Sequence, residues 1–179
     1  LNISATKLNF NCKEVAVISD WRRPENIHGL KLFLKKSFEK KPSCNTTVIL
    51  NIYGFGSETL TNYLKKYNNN LLKINVKGYY DSISRLHESV VLVPIFFGAG
   101  IKIKVLEILL HDRVVVGTKQ AFLGLPPWII NKIYFKINTV WDLQEKNIIV
   151  SKNDFFDFHE NYKKYFINIG KFIKSIKVV

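Results

Sequence analysis

The stretch VVLVPIFFGAGIKIKVLEILL, residues 90–110, places a strand pattern, a glycine turn and a helix pattern in direct succession. Residues 90–94 are an unbroken apolar run, which is typical of a strand covered on both faces of a parallel sheet. Gly98, Ala99 and Gly100 follow, and apolar residues then recur at helical spacing to the end of the stretch. A strand, a turn and a helix in this order predict one repeat of a layered α/β domain.

The rest of the chain repeats this alternation. We predict strands at residues 15–19, 47–53, 72–76, 90–94, 114–116 and 133–136. We predict helices at residues 26–40, 58–66, 81–88 and 101–110, with Asp81 as the cap of the third. Strands that alternate with helices favour a Rossmann-like parallel sheet with helices on both faces, because right-handed crossovers carry the chain over the sheet.

The last part of the chain has a different pattern. From residue 153 onwards, aromatic and aliphatic residues fall on one helical face and lysines occupy much of the remainder. Such a basic amphipathic helix either packs against its own protein or lies on an anionic membrane surface. We therefore expect an α/β domain over residues 1–152 and a C-terminal helix over residues 153–179.

Composition narrows the class of protein. The chain has 179 residues, of which 47% are hydrophobic, enough for one well-packed domain. No apolar run approaches the roughly 20 residues of a membrane span, and the N-terminus lacks the pattern of a secretion signal, so we expect a cytoplasmic protein. Because methionine is absent, we expect the chain to be a piece of a longer protein.

Charge and metal-ligand chemistry give weaker indications. The formal charge of +13 favours an anionic partner, although abundant lysine, asparagine and isoleucine are equally typical of an A/T-rich genome. Cys12 and Cys44 lack the spacing of metal ligands, and the four histidines are dispersed. We therefore expect no metal site.

The turn at residues 98–100 has several features of a phosphate-binding site. Glycines let the backbone approach a ligand closely, and the following helix offers free N–H groups at its positive end. Lys102 and Lys104 add charge, and Glu107, about two turns into the helix, can accept hydrogen bonds from two neighbouring hydroxyls of a ribose. The alternative is a plain turn before an amphipathic helix.

Two further loops follow predicted strands at the same edge of the sheet. Arg22 and Arg23 come after the first strand, and they either clamp a diphosphate or lie in solvent. Gly78, Tyr79 and Tyr80 come after the third, and they either hold a nucleobase or cover the sheet edge. Because ligands of parallel α/β sheets bind beyond the carboxyl ends of the strands, these loops form the candidate site.

Other function classes find less support in the sequence. The Gly-x-Gly pairs at 54–56 and 98–100 lack the third glycine of a dinucleotide-binding fingerprint, and no Gly-Lys-Ser/Thr phosphate loop occurs. The positive charge suggests a basic nucleic-acid-binding module as an alternative. However, the lysines are scattered rather than arranged in a stripe, and no RNA-binding signature occurs. No Ser/His/Asp or Cys/His arrangement assigns a catalytic residue.

The order and spacing of motifs between residues 15 and 125 resemble the C-terminal, donor-binding domain of GT-B-fold glycosyltransferases of the retaining group 1 type. The segments that carry the resemblance are VISDW at 17–21, PENIHGL at 24–30, LNIYGFG at 50–56, VKGY at 76–79, PIFFGAGIKIKVLE at 94–107, VVVGT at 114–118 and GL at 124–125. Beyond residue 125 the resemblance fades. The resemblance over residues 15–125 implies that the chain is the C-terminal half of a GT-B fold.

The resemblance also implies roles for single residues. Glu107 matches the glutamate that binds the donor ribose, the backbone from Gly98 to Gly100 faces the donor sugar and diphosphate, and Tyr79 lies near the base. The implied donor-binding residues are Arg22, Arg23, Gly78, Tyr79, Tyr80, Gly98, Ala99, Gly100, Ile101, Lys102, Lys104 and Glu107. Ala99 stands where many relatives carry a second glutamate near the sugar, which leaves retention or inversion of configuration open.

The implied reaction is metal-independent transfer of a hexose-type sugar from a nucleotide sugar, with UDP- or GDP-sugar as the co-substrate. The absence of an Asp-x-Asp sequence agrees with this class. A glycan or lipid-linked acceptor would be held by a missing N-terminal domain, as in bacterial polysaccharide or lipopolysaccharide synthesis, with peripheral contact at the inner face of the plasma membrane. The chain alone is then expected to bind donor weakly and to transfer little sugar. A GT-B-related nucleotide-sugar epimerase is the remaining alternative.

Overall fold

The computed structural model describes residues 7–42, 44–98, 102–126, 133–144 and 147–176. Its strands are β1 (Lys7–Asn11), β2 (Glu14–Ile18), β3 (Val48–Tyr53), β4 (Leu72–Gly78), β5 (Val90–Val93), β6 (Val114–Gly117), β7 (Tyr134–Lys136) and β8 (Asn147–Ser151). Its α-helices are α1 (Pro24–Phe38), α2 (Thr61–Lys65), α3 (Ile103–Leu110) and α4 (Lys152–Ile176).

Six of the strands form one parallel sheet in the order β4-β3-β2-β5-β6-β7. The chain runs outwards from β2 to β4, returns to the centre at β5, and then runs outwards on the other side. Every position of β5 and β6 is buried, which explains their continuous apolar sequence. The predicted α/β, Rossmann-like class is therefore confirmed.

Helix α1 connects β2 to β3 and brings the loop after β2 against the loop after β5. Pro24 lies in its first turn, where a missing N–H costs nothing, and Leu30, Phe33 and Leu34 are buried at helical spacing. A Cβ atom at Gly29 would lie 2.5 Å from the Pro94 carbonyl oxygen, so this close contact requires glycine. Pro94 also lines the site described below, so this contact holds α1 beside that site.

Three features differ from the sequence prediction. Strands β1 and β8 pair antiparallel in a separate two-stranded sheet that was not predicted. The predicted helix at 58–66 is a 3-10 turn, Ser57–Leu60, followed by the short α2. The predicted helix at 81–88 was wrong: only a 3-10 turn, Ile83–Arg85, forms, and Ser82 caps it while Asp81 pairs with Arg85 at 2.5 Å.

The C-terminal helix α4 starts directly after β8. Phe155 and Phe158 are buried in its first two turns, and the Phe155 ring meets the Phe10 ring of β1 edge-on at 6.3 Å. His159 lies 2.9 Å from Asp112 in the turn between α3 and β6. The described start of the helix thus packs on the rest of the chain, and the division at residue 152 stays a prediction. None of the described helices combines the length and apolar character that a membrane span requires.

Candidate functional site

Four loops converge at the carboxyl edge of the parallel sheet and enclose two adjoining clefts. The lysine cleft, of about 360 Å³, is lined by residues of the loops after β2 and β5 and by the start of α3, among them Ser19, Arg23, Glu25, Asn26, Gly98, Lys102 and Lys104. The tyrosine cleft, of about 270 Å³, is lined among others by Ser19, Phe55, Tyr79, Tyr80, Asp81 and Glu107. Ser19 belongs to both, so the clefts share a wall.

Lys104 is a partly buried cation that lines the lysine cleft. Its Nζ donates a hydrogen bond of 2.6 Å to the Ser19 hydroxyl, which is buried at the end of β2. Burial, together with the nearby charge of Arg23, lowers the pKa of Lys104 to about 8, although the charges of Glu107 and Asp20 act in the opposite sense. At neutral pH the amine is therefore still mostly protonated, although its surroundings solvate it poorly.

The glycine turn reaches the lysine cleft at Gly98. This residue has φ of +101°, and its carbonyl oxygen accepts hydrogen bonds from Lys102 Nζ at 3.1 Å and Gln120 Nε2 at 2.5 Å. Helix α3 begins at Ile103, where the Lys102 side chain makes no capping hydrogen bond and the Val105 N–H donates to the Lys102 carbonyl oxygen at 2.8 Å. The predicted site residues Ala99, Gly100 and Ile101 lie outside the described residues.

Glu107 lies at the rim of the tyrosine cleft, with its side chain exposed. It lies three positions after Lys104, so the two side chains leave the same face of α3 and enter adjoining clefts. Burial raises the pKa of Tyr80, and the negative charge of Glu107 adds to this effect. The carboxylate is thus near the Tyr80 hydroxyl and accessible to a ligand.

Aromatic rings form the opposite side of the tyrosine cleft. The rings of Phe55 and Tyr79 lie 4.5 Å apart, and both are more than half exposed. Gly78, with φ of +82°, directly precedes Tyr79, and beyond its chain neighbours no described residue has an atom within 4 Å of the position that a Cβ would take. Flat, accessible rings at this position can stack on a nucleobase.

The two arginines after β2 have different surroundings. Arg22 pairs with Asp20 through two hydrogen bonds of 2.8 and 2.9 Å, and its guanidinium lies 4.8 Å from the centre of the Phe55 ring. The hydrogen bonds from Arg22 lower the pKa of Asp20 to about 2. Arg23 lies at 3.7 Å from Asp20 and lines the lysine cleft. Of the two arginines, Arg23 is therefore the one that lines this cleft.

Sequence reasoning did not assign a role to Ser19, to Gly54 or to Tyr53. Gly54 has φ of +124°, and a Cβ on it would lie 1.7 Å from the Ser19 carbonyl oxygen, so the loops after β2 and β3 touch through their backbones. Tyr53 accepts hydrogen bonds on its carbonyl oxygen from the Ser19 N–H at 3.2 Å and from Trp21 Nε1 at 2.7 Å. The one sequence signal was the Gly-x-Gly at 54–56.

The described residues contain no group of three or more His, Cys, Asp and Glu side chains arranged to hold a metal ion. The two clefts instead offer cations, amide groups, a carboxylate and aromatic rings. Cations and helix N-termini suit phosphate oxygens, whereas a carboxylate and aromatic rings suit a nucleoside. Metal independence itself stays a prediction.

Comparison with solved structures gives the class of fold. The chain is similar to a variant of S. aureus TarM solved in complex with fondaparinux, alpha-GlcNAc-glycerol and UDP, with a TM-score of 0.51 and 20% identity. The match covers 76% of this chain and only 28% of TarM. The chain is also similar to Anabaena HepE in complex with UDP, at a TM-score of 0.43 and 16% identity, over 72% of this chain and 35% of HepE.

The architecture is therefore that of an α/β, Rossmann-like domain whose fold is similar to that of part of the TarM structure. At this level of identity the likeness concerns the fold alone. No protein-family model matches the chain, and no curated protein matches it.

Proposed function

We propose that this chain is the donor-binding, C-terminal domain of a GT-B glycosyltransferase and that it binds a nucleoside diphosphate sugar across the two clefts. The observation that supports this most directly is the placement of Lys104 and Glu107 on one face of α3, each in one of two clefts that share Ser19. The Lys104 cation suits the diphosphate and the Glu107 carboxylate suits the ribose hydroxyls, so the pair matches the two ends of a ribose-diphosphate unit.

The diphosphate would lie in the lysine cleft. Lys104, Lys102 and Arg23 supply positive charge there, and the start of α3 adds the positive end of the helix dipole. These groups stabilise the charge that develops on the leaving nucleoside diphosphate when the bond to the sugar breaks. The proposed transfer uses this stabilisation and no metal ion.

The nucleoside would lie in the tyrosine cleft. The exposed Glu107 carboxylate would accept hydrogen bonds from the two ribose hydroxyls, and the Phe55 and Tyr79 rings would cover a face of the base. The TarM structure contains UDP, which supports a UDP-sugar as the donor, and a GDP-sugar is the other candidate donor.

The donor sugar would face the turn that begins at Gly98, and the acceptor would approach from the part of the enzyme outside this chain. The matched region is 28% of TarM, so we infer that transferase activity would also require an acceptor-binding part. A hexose-type sugar, a glycan or lipid-linked acceptor, retention of configuration and a role in polysaccharide or lipopolysaccharide synthesis belong to this proposal.

A thermal-shift panel of UDP-, GDP-, ADP- and CMP-sugars tests the binding function. A ligand that binds only the folded chain at about 100 times its Kd adds roughly 2.7 kcal/mol, which raises Tm by about 5–10 °C for a chain of this size. We expect one nucleotide class to give this rise. Glu107→Ala should abolish it, and Glu58→Ala, at an exposed glutamate outside both clefts, should leave it unchanged.

The same panel has a result that contradicts the proposal. If no nucleotide sugar raises Tm while an oligonucleotide binds with steep salt dependence, the basic surface serves nucleic acid and the donor-site assignment is wrong. Conversion of a nucleotide sugar to its epimer by the chain alone would identify the epimerase alternative.

A further inference from the structure

Tyr53, the last residue of β3, contacts three parts of the site although it is not among the residues that line either cleft. Its carbonyl oxygen accepts hydrogen bonds from Ser19 and Trp21 in the loop after β2. Its ring meets the Tyr80 ring edge-on, with the centres 6.3 Å apart and the planes at 77°. Tyr53 thus joins the phosphate side of the site to the nucleoside side.

The hydroxyl of Tyr53 is bound to a buried carboxylate. It donates to Glu88 at 3.0 and 3.3 Å, and the side-chain amide of Asn51 donates to the same carboxylate at 2.5 Å. Glu88 is 5% exposed, so burying it costs free energy unless such hydrogen bonds replace its water. Burial and the neighbouring Glu88 raise the pKa of Tyr53, which keeps its hydroxyl protonated as a donor.

Residues 79–88 form one segment, which begins at the tyrosine cleft and has Glu88 at its far end. Residues 79–83 of this segment line the cleft, and Glu88 fastens the segment's far end to β3. Between them, an Arg113 guanidinium nitrogen donates to the carbonyl oxygens of Ser84 at 3.3 Å and Leu86 at 2.9 Å. The wall of the tyrosine cleft is therefore held from behind by polar contacts remote from any ligand.

We propose that Tyr53 and Glu88 are positioning residues for nucleoside recognition: their hydrogen bond holds Tyr80 and the segment behind it, so that the tyrosine cleft is formed before the ligand arrives. This inference rests on the proposed function. A preformed wall spares the ligand the cost of ordering the segment, so loss of the hydrogen bond weakens nucleotide binding without any lost ligand contact.

The test compares Tyr53→Phe with the matched control Tyr63→Phe. Tyr63 also loses a hydrogen bond, the 2.9 Å contact of its hydroxyl with Tyr67, but it lies outside both clefts. Calorimetric titration gives the Kd of each variant for UDP, GDP and inorganic pyrophosphate. We expect Tyr53→Phe to weaken the preferred nucleotide roughly tenfold and pyrophosphate less than about twofold, and Tyr63→Phe to change neither.

The contrast between the two kinds of ligand separates positioning from general loosening. Equal weakening of nucleotide and pyrophosphate, or an unchanged nucleotide Kd, overturns the inference. Glu88→Gln provides a second variant, which should also weaken the nucleotide selectively because it removes the charged acceptor of the Tyr53 hydrogen bond. If the wild-type chain binds neither UDP nor GDP, the proposed function itself fails, and this inference fails with it.

Discussion

Replacing Lys104 by methionine should stabilise the free protein and weaken its binding of nucleotide. Methionine keeps much of the length of the side chain and removes the ammonium group. In the structure that ammonium is largely removed from water and donates to Ser19 at 2.6 Å. This poorly solvated cation lowers the stability of the free protein, and we expect a bound anionic ligand to offset that loss.

The size of the effect follows from the pKa. The drop from 10.5 to about 8 corresponds to about 3 kcal/mol against the charged form, at about 1.4 kcal/mol per unit. Loss of the hydrogen bond to Ser19 offsets about 1–2 kcal/mol of the gain. The net stabilisation at neutral pH is therefore about 1–2 kcal/mol, which raises Tm by about 2–8 °C.

The pH dependence of the free energy of unfolding tests independently whether Lys104 stabilises or destabilises the fold. Because the pKa of Lys104 is lower in the folded chain than in the unfolded chain, folding releases a proton between about pH 8 and 10.5, and stability from this group rises over that window. Below about pH 8 Lys104 is protonated in both states, so its full destabilising effect on the folded chain is present. Lys104→Met removes this pH-linked part of the stability curve.

Chemical denaturation of wild type, Lys104→Met and Lys73→Met at pH 7 measures the effect, since Lys73 is an exposed lysine of β4. The free energy of unfolding should rise for Lys104→Met and stay within about 0.5 kcal/mol for Lys73→Met. Titration should show that Lys104→Met binds nucleotide roughly 10- to 100-fold more weakly. A less stable Lys104→Met variant, or one with unchanged affinity, would refute the reasoning.

Three further predictions concern the same clefts. Nucleotide affinity of the wild type should fall as pH rises through about 8, because Lys104 loses its proton, and the profile of Lys104→Met should be flat there. Glu107→Gln should weaken UDP or GDP about tenfold in calorimetry and leave pyrophosphate binding unchanged, since only the ribose contact is lost. Gly54→Ala should cost roughly 3 kcal/mol or more in denaturant unfolding because its Cβ would meet the Ser19 carbonyl oxygen, whereas Gly78→Ala, with open space around it, should cost only about 1 kcal/mol.

The parallel sheet was predictable because its central strands β5 and β6 are buried on both faces. Such strands appear in the sequence as continuous apolar runs, and their short length and flanking turns distinguish them from buried helices. The β1–β8 ladder was not predictable in the same way, since it pairs Lys7 with Ser151 across most of the chain and only one of its faces is buried. Local pattern carries no information about such a distant partner.

The candidate site was predictable in its position and only partly in its details. Lys102 and Lys104 look equivalent in the sequence, but tertiary packing brings only the second to the Ser19 hydroxyl, 85 positions away. Arg22 and Arg23 are likewise adjacent, and the pairing of Arg22 with Asp20 and Phe55 separates them. Burial and hydrogen-bond partners of this kind depend on several loops at once, which explains why spacing alone did not rank these residues.

A crystal structure of the chain with bound UDP or GDP is the most direct test of the donor site. We expect the diphosphate within hydrogen-bond distance of Lys104 Nζ and of the first N–H groups of α3, the ribose hydroxyls on the Glu107 carboxylate, and the base beside Tyr79 and Phe55. A nucleotide bound away from the carboxyl edge of the sheet, or with its phosphates on the Glu107 side, would contradict the assignment.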